Sequence, residues 1–259
     1  MKSKIALLSV VLAAGCKPAA PAEPTYQPAP AAAAATTPPA PPPAPTPPPA
    51  PAAPAAPSGD VAVRPVYPNP SSPDPLGGRF SLAQATAGLP PGRELVAEIE
   101  TNQGTFSCTM LADRAPNTVA NFVGLARGLR DFWDPVSGQW VRRPYYDGSV
   151  FHRVIPEFMI QGGDILRSGM GGPGYEFADE NVNGHDAAGQ LCMANHGPNT
   201  NGGQFFITET PRQHLDGSYS IFGRCTPAEL VNRIARVPRN ERDRPDSPVY
   251  IQHVRISRR

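Results

Sequence analysis

Three short apolar runs carry the side chains best suited to chemistry. Residues 149–155 (SVFHRVI) and 158–164 (FMIQGGD) read as two strands joined at Pro156-Glu157, and 203–208 (GQFFIT) as a third. Strand side chains alternate between faces. Arg153 therefore points away from the face holding His152 and Val154, Met159 and Gln161 share a face opposite Phe158 and Ile160, and Gln204 and Phe206 share a face opposite Phe205 and Ile207. One face of each strand can fill a core. The other can offer an apolar floor with a cation and amide hydrogen-bonding groups. Other candidates read as structural. His152 is expected as a packed polar core residue rather than a base, and Asp164 and Asp179-Glu180 as turn carboxylates bonded to backbone N–H groups. The chain has no CxxC, no HExxH and no close His/Cys cluster, so no metal site is expected.

The elements that must hold these runs are mostly short strands. LVAEIET and GTFSCTML form a candidate hairpin around Asn102-Gln103-Gly104, and VYIQHVRIS reads as a closing strand. Val119, Phe122, Val123 and Ala126 recur at helical spacing, which predicts an amphipathic helix over 116–127; PAELVNRIARV predicts a second. Trp133 and Trp140 flank a turn in DFWDPVSGQW and suggest a small hairpin packed on the main body. Many short strands with two main helices point to a closed β-barrel with helical plugs.

The blocks FHRVIPEFMIQGGD, FADEN, MANHGPNTNGGQFFIT and HLDGSYSIFG stand in the order, and at about the spacing, of the cyclophilins. Residues 93–259 resemble that family throughout. The resemblance implies a mainly β fold, an eight-stranded antiparallel barrel capped by two helices, with a proline-binding groove on its outside and peptidyl-prolyl cis-trans isomerase activity without a cofactor. Carried over by position, Arg153 is the catalytic arginine, and Phe158, Met159, Phe206 and Leu215 line the proline pocket. Gln161, Ala194, Asn195 and Gln204 bind the substrate backbone, with Gly169 on the rim. At three neighbouring positions this chain departs from the family pattern: His214 replaces a tryptophan, Tyr219 a histidine and His196 a small residue. These changes bear on cyclosporin sensitivity and on the residue accepted before proline, and leave the arginine and the pocket floor intact. A proline-peptide binding module without turnover, or an envelope scaffold, is the alternative reading.

The cysteines follow from the same resemblance. Cys108 and Cys225 occupy positions where the family places buried apolar side chains, so a bridge between them is expected, with Cys192 reduced beside the groove; three buried thiols is the alternative.

Of the 259 residues, 35 are proline, and 24 of those prolines precede residue 92, so one domain is expected. Residues 1–15 (MKSKIALLSVVLAAG) read as an export signal. Its apolar run is too short to span a bilayer, and Ala-Ala-Gly-Cys resembles a lipobox with Cys16 as the lipidated residue. A plain secretory signal is the alternative. Residues 16–59 are an expected disordered, extended Pro/Ala-rich spacer, reaching on the order of 120 Å at about 3.1 Å per residue. Residues 60–92 form a transition with a short helix between Ser81 and Gly88. The expected location is the cell envelope, lipid-anchored. Lys17 favours the outer membrane, facing the periplasm, in a Gram-negative cell. Proline-containing polypeptides are the expected partners and the barrel is expected to be monomeric. A net charge of +1 leaves no basic field for nucleic acid.

Overall fold

The computed structural model describes residues 70–180 and 184–259. The expected signal, the expected lipidation site Cys16 and the expected spacer lie outside the described residues.

In chain order the elements are α1 (Leu82–Thr86), β1 (Leu95–Thr101), β2 (Gly104–Met110), α2 (Pro116–Ala126), β3 (Phe132–Asp134), β4 (Gln139–Val141), β5 (Val150–Phe151) and β6 (Arg153–Ile155). They continue with β7 (Met159–Gly162), β8 (Gln190–Met193), β9 (Phe205–Thr208), β10 (Ile221–Thr226), α3 (Ala228–Ala235) and β11 (Val249–Arg258). The main sheet runs β5-β11-β1-β2-β10-β8-β9-β7-β6, with every pair antiparallel.

Its two end strands, β5 and β6, are separated in the chain by His152 alone. The 149–155 run, expected as one strand, is therefore two halves of a strand that changes partner: β5 pairs with β11 and β6 with β7. Counted as one, it reduces nine strands to eight and joins the ends of the row into a nearly closed barrel. At the break, His152 N still donates to Gln161 O at 3.0 Å.

The barrel interior is aromatic and aliphatic. Phe122 of α2 meets Tyr146, Phe205 and Phe222 with ring centroids 4.9–5.5 Å apart. The hairpin of β1 and β2 turns at Asn102-Gln103, and Gly104 takes a φ of 136°. Its inward residues Ile99, Phe106 and Cys108 are fully buried.

Helix α2 differs from the amphipathic reading, because every residue from Thr118 to Ala126 is buried. One side faces the barrel. The other is covered by residues that precede β1, where the Phe80 ring occupies the space a Cβ on Gly124 would need. A third helix, α1, thus joins the two expected caps, and residues 70–92 belong to the same compact unit as the barrel. Ser81 caps α1 in a reciprocal box with Gln84, Ser81 N donating to Gln84 Oε1 at 2.8 Å and Gln84 N to Ser81 Oγ at 3.3 Å. Asp74 accepts two bonds from the buried Arg130 guanidinium, at 2.8 and 2.5 Å. The small β3–β4 hairpin pairs Trp133 with Trp140, and Trp140 Nε1 donates to Ser72 O at 3.1 Å.

The carboxylates take the structural roles expected of them. No side chain at the N-cap of α2 serves its exposed amides, and Glu180 does so from a distant loop, accepting Asn117 N at 3.0 Å and Thr118 N at 2.8 Å. Asp164 accepts the N–H groups of Leu166, Ser168 and Gly169. Asp179 accepts from Asn199 N at 2.7 Å.

Cys108 on β2 and Cys225 on β10 are directly opposite in register and form a disulfide, with Cα atoms 3.9 Å apart. The alternative of three thiols is thereby set aside. Cys192 is free and fully buried, and burial pushes its thiol pKa well above the ordinary value.

Candidate active site

A row of cross-strand neighbours builds the site. Arg153 on β6 pairs with Gln161 on β7, Gln161 with Phe206 on β9, Phe206 with Cys192 on β8, and Cys192 with Ile221 on β10. Directly opposed residues project on the same face of a sheet. The row therefore crosses five strands on the outside of the barrel, while Val154, Ile160, Phe205 and Ile207 point into the core.

The apolar members of the row belong to a second cluster, apart from the barrel core: Met159, Cys192, Phe206, Leu215 and Ile221, with Phe158, Ala194 and Tyr219 packed against it. Above it opens a pocket of about 190 Å³ bounded by Arg153, Gln161 and Asn195 and by the apolar Phe158, Met159, Phe206 and Leu215, with Tyr219 at its side. Tyr219 stands edge-on to Phe206 with centroids 5.3 Å apart. Leu215 comes from a 3-10 turn, Gln213–Leu215, whose His214 ring lies 6.3 Å from Phe158. Strict alternation places Phe158 opposite Met159, yet it joins Met159 at the groove. It lies in the turn before β7, where Phe158 N donates to Ile155 O at 3.2 Å and Glu157 takes a φ of 61°, so the period of two starts only at Met159.

Gly169, His196 and Gln204 surround a second cavity of about 230 Å³, which shares Gln161, Ala194 and Asn195 with the first. The Gln204 side chain is fully committed inside the protein. Its Nε2 donates to Gly169 O at 3.0 Å and Gly171 O at 2.8 Å, and its Oε1 accepts from Gln161 at 3.0 Å. It holds the rim loop in place. Gly169, at φ 83°, lies against the buried His152 ring, 3.3 Å from where its Cβ would be. Burial lowers the pKa of His152, as suits a packed neutral imidazole. His196 Nε2 approaches Glu176 Oε1 at 3.7 Å on the far wall, and Asn195 Nδ2 donates to Ser218 O at 2.8 Å. The second cavity, with Met170, Tyr175 and Glu176 in its walls, was not foreseen from the sequence. Gly169, Ala194, Asn195, His196 and Gln204 of its lining were singled out in the sequence, and the glycine-rich run SGMGGPG at 168–174 supplies more of its wall.

An outer-face pocket of this size, with one exposed guanidinium at its edge, can hold a compact apolar ring and present a fixed positive charge to the amide attached to it. Comparison with known proteins agrees. The family model described as cyclophilin type peptidyl-prolyl cis-trans isomerase/CLD matches residues 96–256. The chain is 46% identical over 166 residues to peptidyl-prolyl cis-trans isomerase A of Mycobacterium tuberculosis, a match covering 62% of this chain and 91% of the relative. It is likewise 46% identical over 175 residues to peptidyl-prolyl cis-trans isomerase B of Streptomyces anulatus, covering 64% and 98%. A crystal structure of a Cryptosporidium parvum cyclophilin type isomerase, determined in the presence of the dipeptide Ala-Pro, matches with a TM-score of 0.54 at 32% identity, covering 63% of this chain and 99% of that one.

Proposed function

The chain belongs to the cyclophilin-type peptidyl-prolyl cis-trans isomerases and accelerates rotation about X-Pro bonds, and we propose that Arg153, at the edge of the outer groove, drives that rotation. The observation that carries this reading is the cross-strand row, which brings Arg153 beside Gln161 and Phe206 at the mouth of one apolar pocket.

A peptide C–N bond has partial double-bond character, and its rotation barrier of about 18–20 kcal/mol makes uncatalysed X-Pro isomerisation slow. Twisting the bond localises the lone pair on the prolyl nitrogen. The Arg153 guanidinium donates a hydrogen bond to that nitrogen in the twisted state, which the planar ground state accepts poorly, so the interaction lowers the barrier. Arginine stays charged throughout. Phe206, Met159, Phe158 and Leu215 hold the prolyl ring still in the apolar pocket. Gln161 and the Ala194-Asn195 segment bind the backbone before it, and Gln204 acts indirectly by fixing the rim at Gly169. Ala-Pro units within longer polypeptides fit this site. His196 and Glu176 bear on the residues ahead of the proline, and His214 and Tyr219 shape the pocket's outer edge.

The same proposal places the enzyme at the cell envelope, a monomeric barrel lipid-anchored through Cys16, where it assists the folding of exported proteins. Its support is the sequence of residues 1–16 and the proline-rich spacer that follows. The test of the mechanism is Arg153→Ala in a protease-coupled isomerisation assay. Catalytic efficiency is expected to fall at least about tenfold, roughly 1.4 kcal/mol of transition-state stabilisation, with the fold intact by circular dichroism. Unchanged turnover in a folded variant would overturn the role of Arg153.

A further inference from the structure

We propose that Asp243 is a positioning residue for Arg153, holding its guanidinium from the side away from the substrate. Residues 237–248 run from α3 to β11, and they are pinned to the strand that carries the arginine. Val154 N donates to Asp243 O at 2.8 Å. The segment is itself a closed turn: Asp243 N donates to Asn240 O at 3.0 Å, Asn240 N to Arg244 O at 2.9 Å, and Asn240 Oδ1 accepts from Arg242 N and Arg244 N at 2.9 and 3.2 Å. Asp243 takes a φ of 60° in this turn, a left-handed conformation that aspartate, asparagine and glycine tolerate and most residues do not.

That backbone sets the carboxylate between two guanidinium groups. Oδ1 is 3.3 Å from Arg239 Nε, and Oδ2 is 3.8 Å from Arg153 Nε. Among the described residues, Asp243 is the one carboxylate within 4.0 Å of the Arg153 side chain. Arg153 is 46% exposed and its long stem has many rotamers, so it needs a fixed partner to keep one geometry. Asp243 does not line the proline pocket, whereas Arg153 does. An anchor at Nε leaves the two terminal amino groups of Arg153 free for the prolyl nitrogen. Arg239 holds the anchor in turn.

This inference rests on Arg153 being the catalytic group. The test uses the full chain carrying Asp243→Asn or Asp243→Gly, both compatible with the left-handed backbone and both retaining the main-chain bond to Val154. Each is expected to lower kcat roughly three- to tenfold while KM stays within about twofold, because the ring pocket is untouched. In an Arg153→Ala background neither is expected to lower the residual rate further. The Arg153 Nε–Hε resonance, identified by its loss in Arg153→Ala, is expected to move in Asp243→Asn. Retention of full kcat in both variants, or an equal loss with and without Arg153, overturns the inference while leaving Arg153 in place. Full kcat in Arg153→Ala overturns the catalytic reading itself, and this inference with it.

Discussion

Phe206 meets two neighbours from different directions: the Tyr219 ring edge-on at 5.3 Å and Gln161 across the strand pair. Its ring is part of the apolar pocket floor, and none of its atoms can donate to the prolyl nitrogen. Phe206→Ala should therefore weaken binding rather than rotation. A rise in KM of about five- to tenfold, near 1–1.4 kcal/mol, with kcat nearly unchanged, is the expected result from progress curves at increasing peptide concentration. A loss confined to kcat would instead give the ring a part in the twisted state. At this scale the alternation of strand side chains made the site largely legible, since it separates Arg153 from His152 and Phe206 from Phe205. It failed at Phe158, where the left-handed Glu157 resets the period. It also could not reveal that the Gln204 amide is used up on Gly169 and Gly171, because those partners lie more than thirty residues away in the chain.

Among the elements, α2 and the segment before β1 depend on one another. Arg130 is 2% exposed and stacks on Tyr175 at 3.8 Å, with Asp74 supplying the opposite charge. Tyr175 in turn donates to Asn121 of α2 at 2.7 Å and forms part of the second cavity wall. Asp74→Ala would leave a buried guanidinium without its carboxylate, and a loss of about 3–5 kcal/mol in urea unfolding is expected; a change within error would mean that water reaches Arg130 unhindered. Burial alone would raise the Asp74 pKa, but the bonds from Arg130, Gly78 and Leu76 hold it below the ordinary carboxylate value. Its contribution is thus fully present above the unfolded carboxylate pKa and is lost as pH falls through the folded one. The Ser81-capped helix of this segment was legible in the sequence, but proline density hid the docking of the residues before it. Prolines at 70, 73 and 75 rule out a regular helix or strand there, and they do not prevent side chains such as Asp74 and Phe80 from docking.

For the whole molecule, the strand and turn signals recurring along 93–259 pointed to a closed barrel, while its eight strands were implied by the family resemblance. The closure at His152 could not be anticipated, since a strand that changes partner midway looks continuous in the chain. Register, rather than cysteine count, settles the disulfide, because Cys108 and Cys225 face each other across β2 and β10. The envelope assignment makes its own prediction: Cys16→Ser in the full chain should abolish partition into detergent and the added diacylglycerol mass. Unaltered fractionation would place any anchor elsewhere. The bridge also has a bearing on proteolysis. Every pocket residue, from Arg153 to Tyr219, lies in the span between Cys108 and Cys225. A single nick in that span, for example beside the exposed Met170, leaves two pieces still joined covalently across neighbouring strands, so one protease cut cannot set half of the groove adrift.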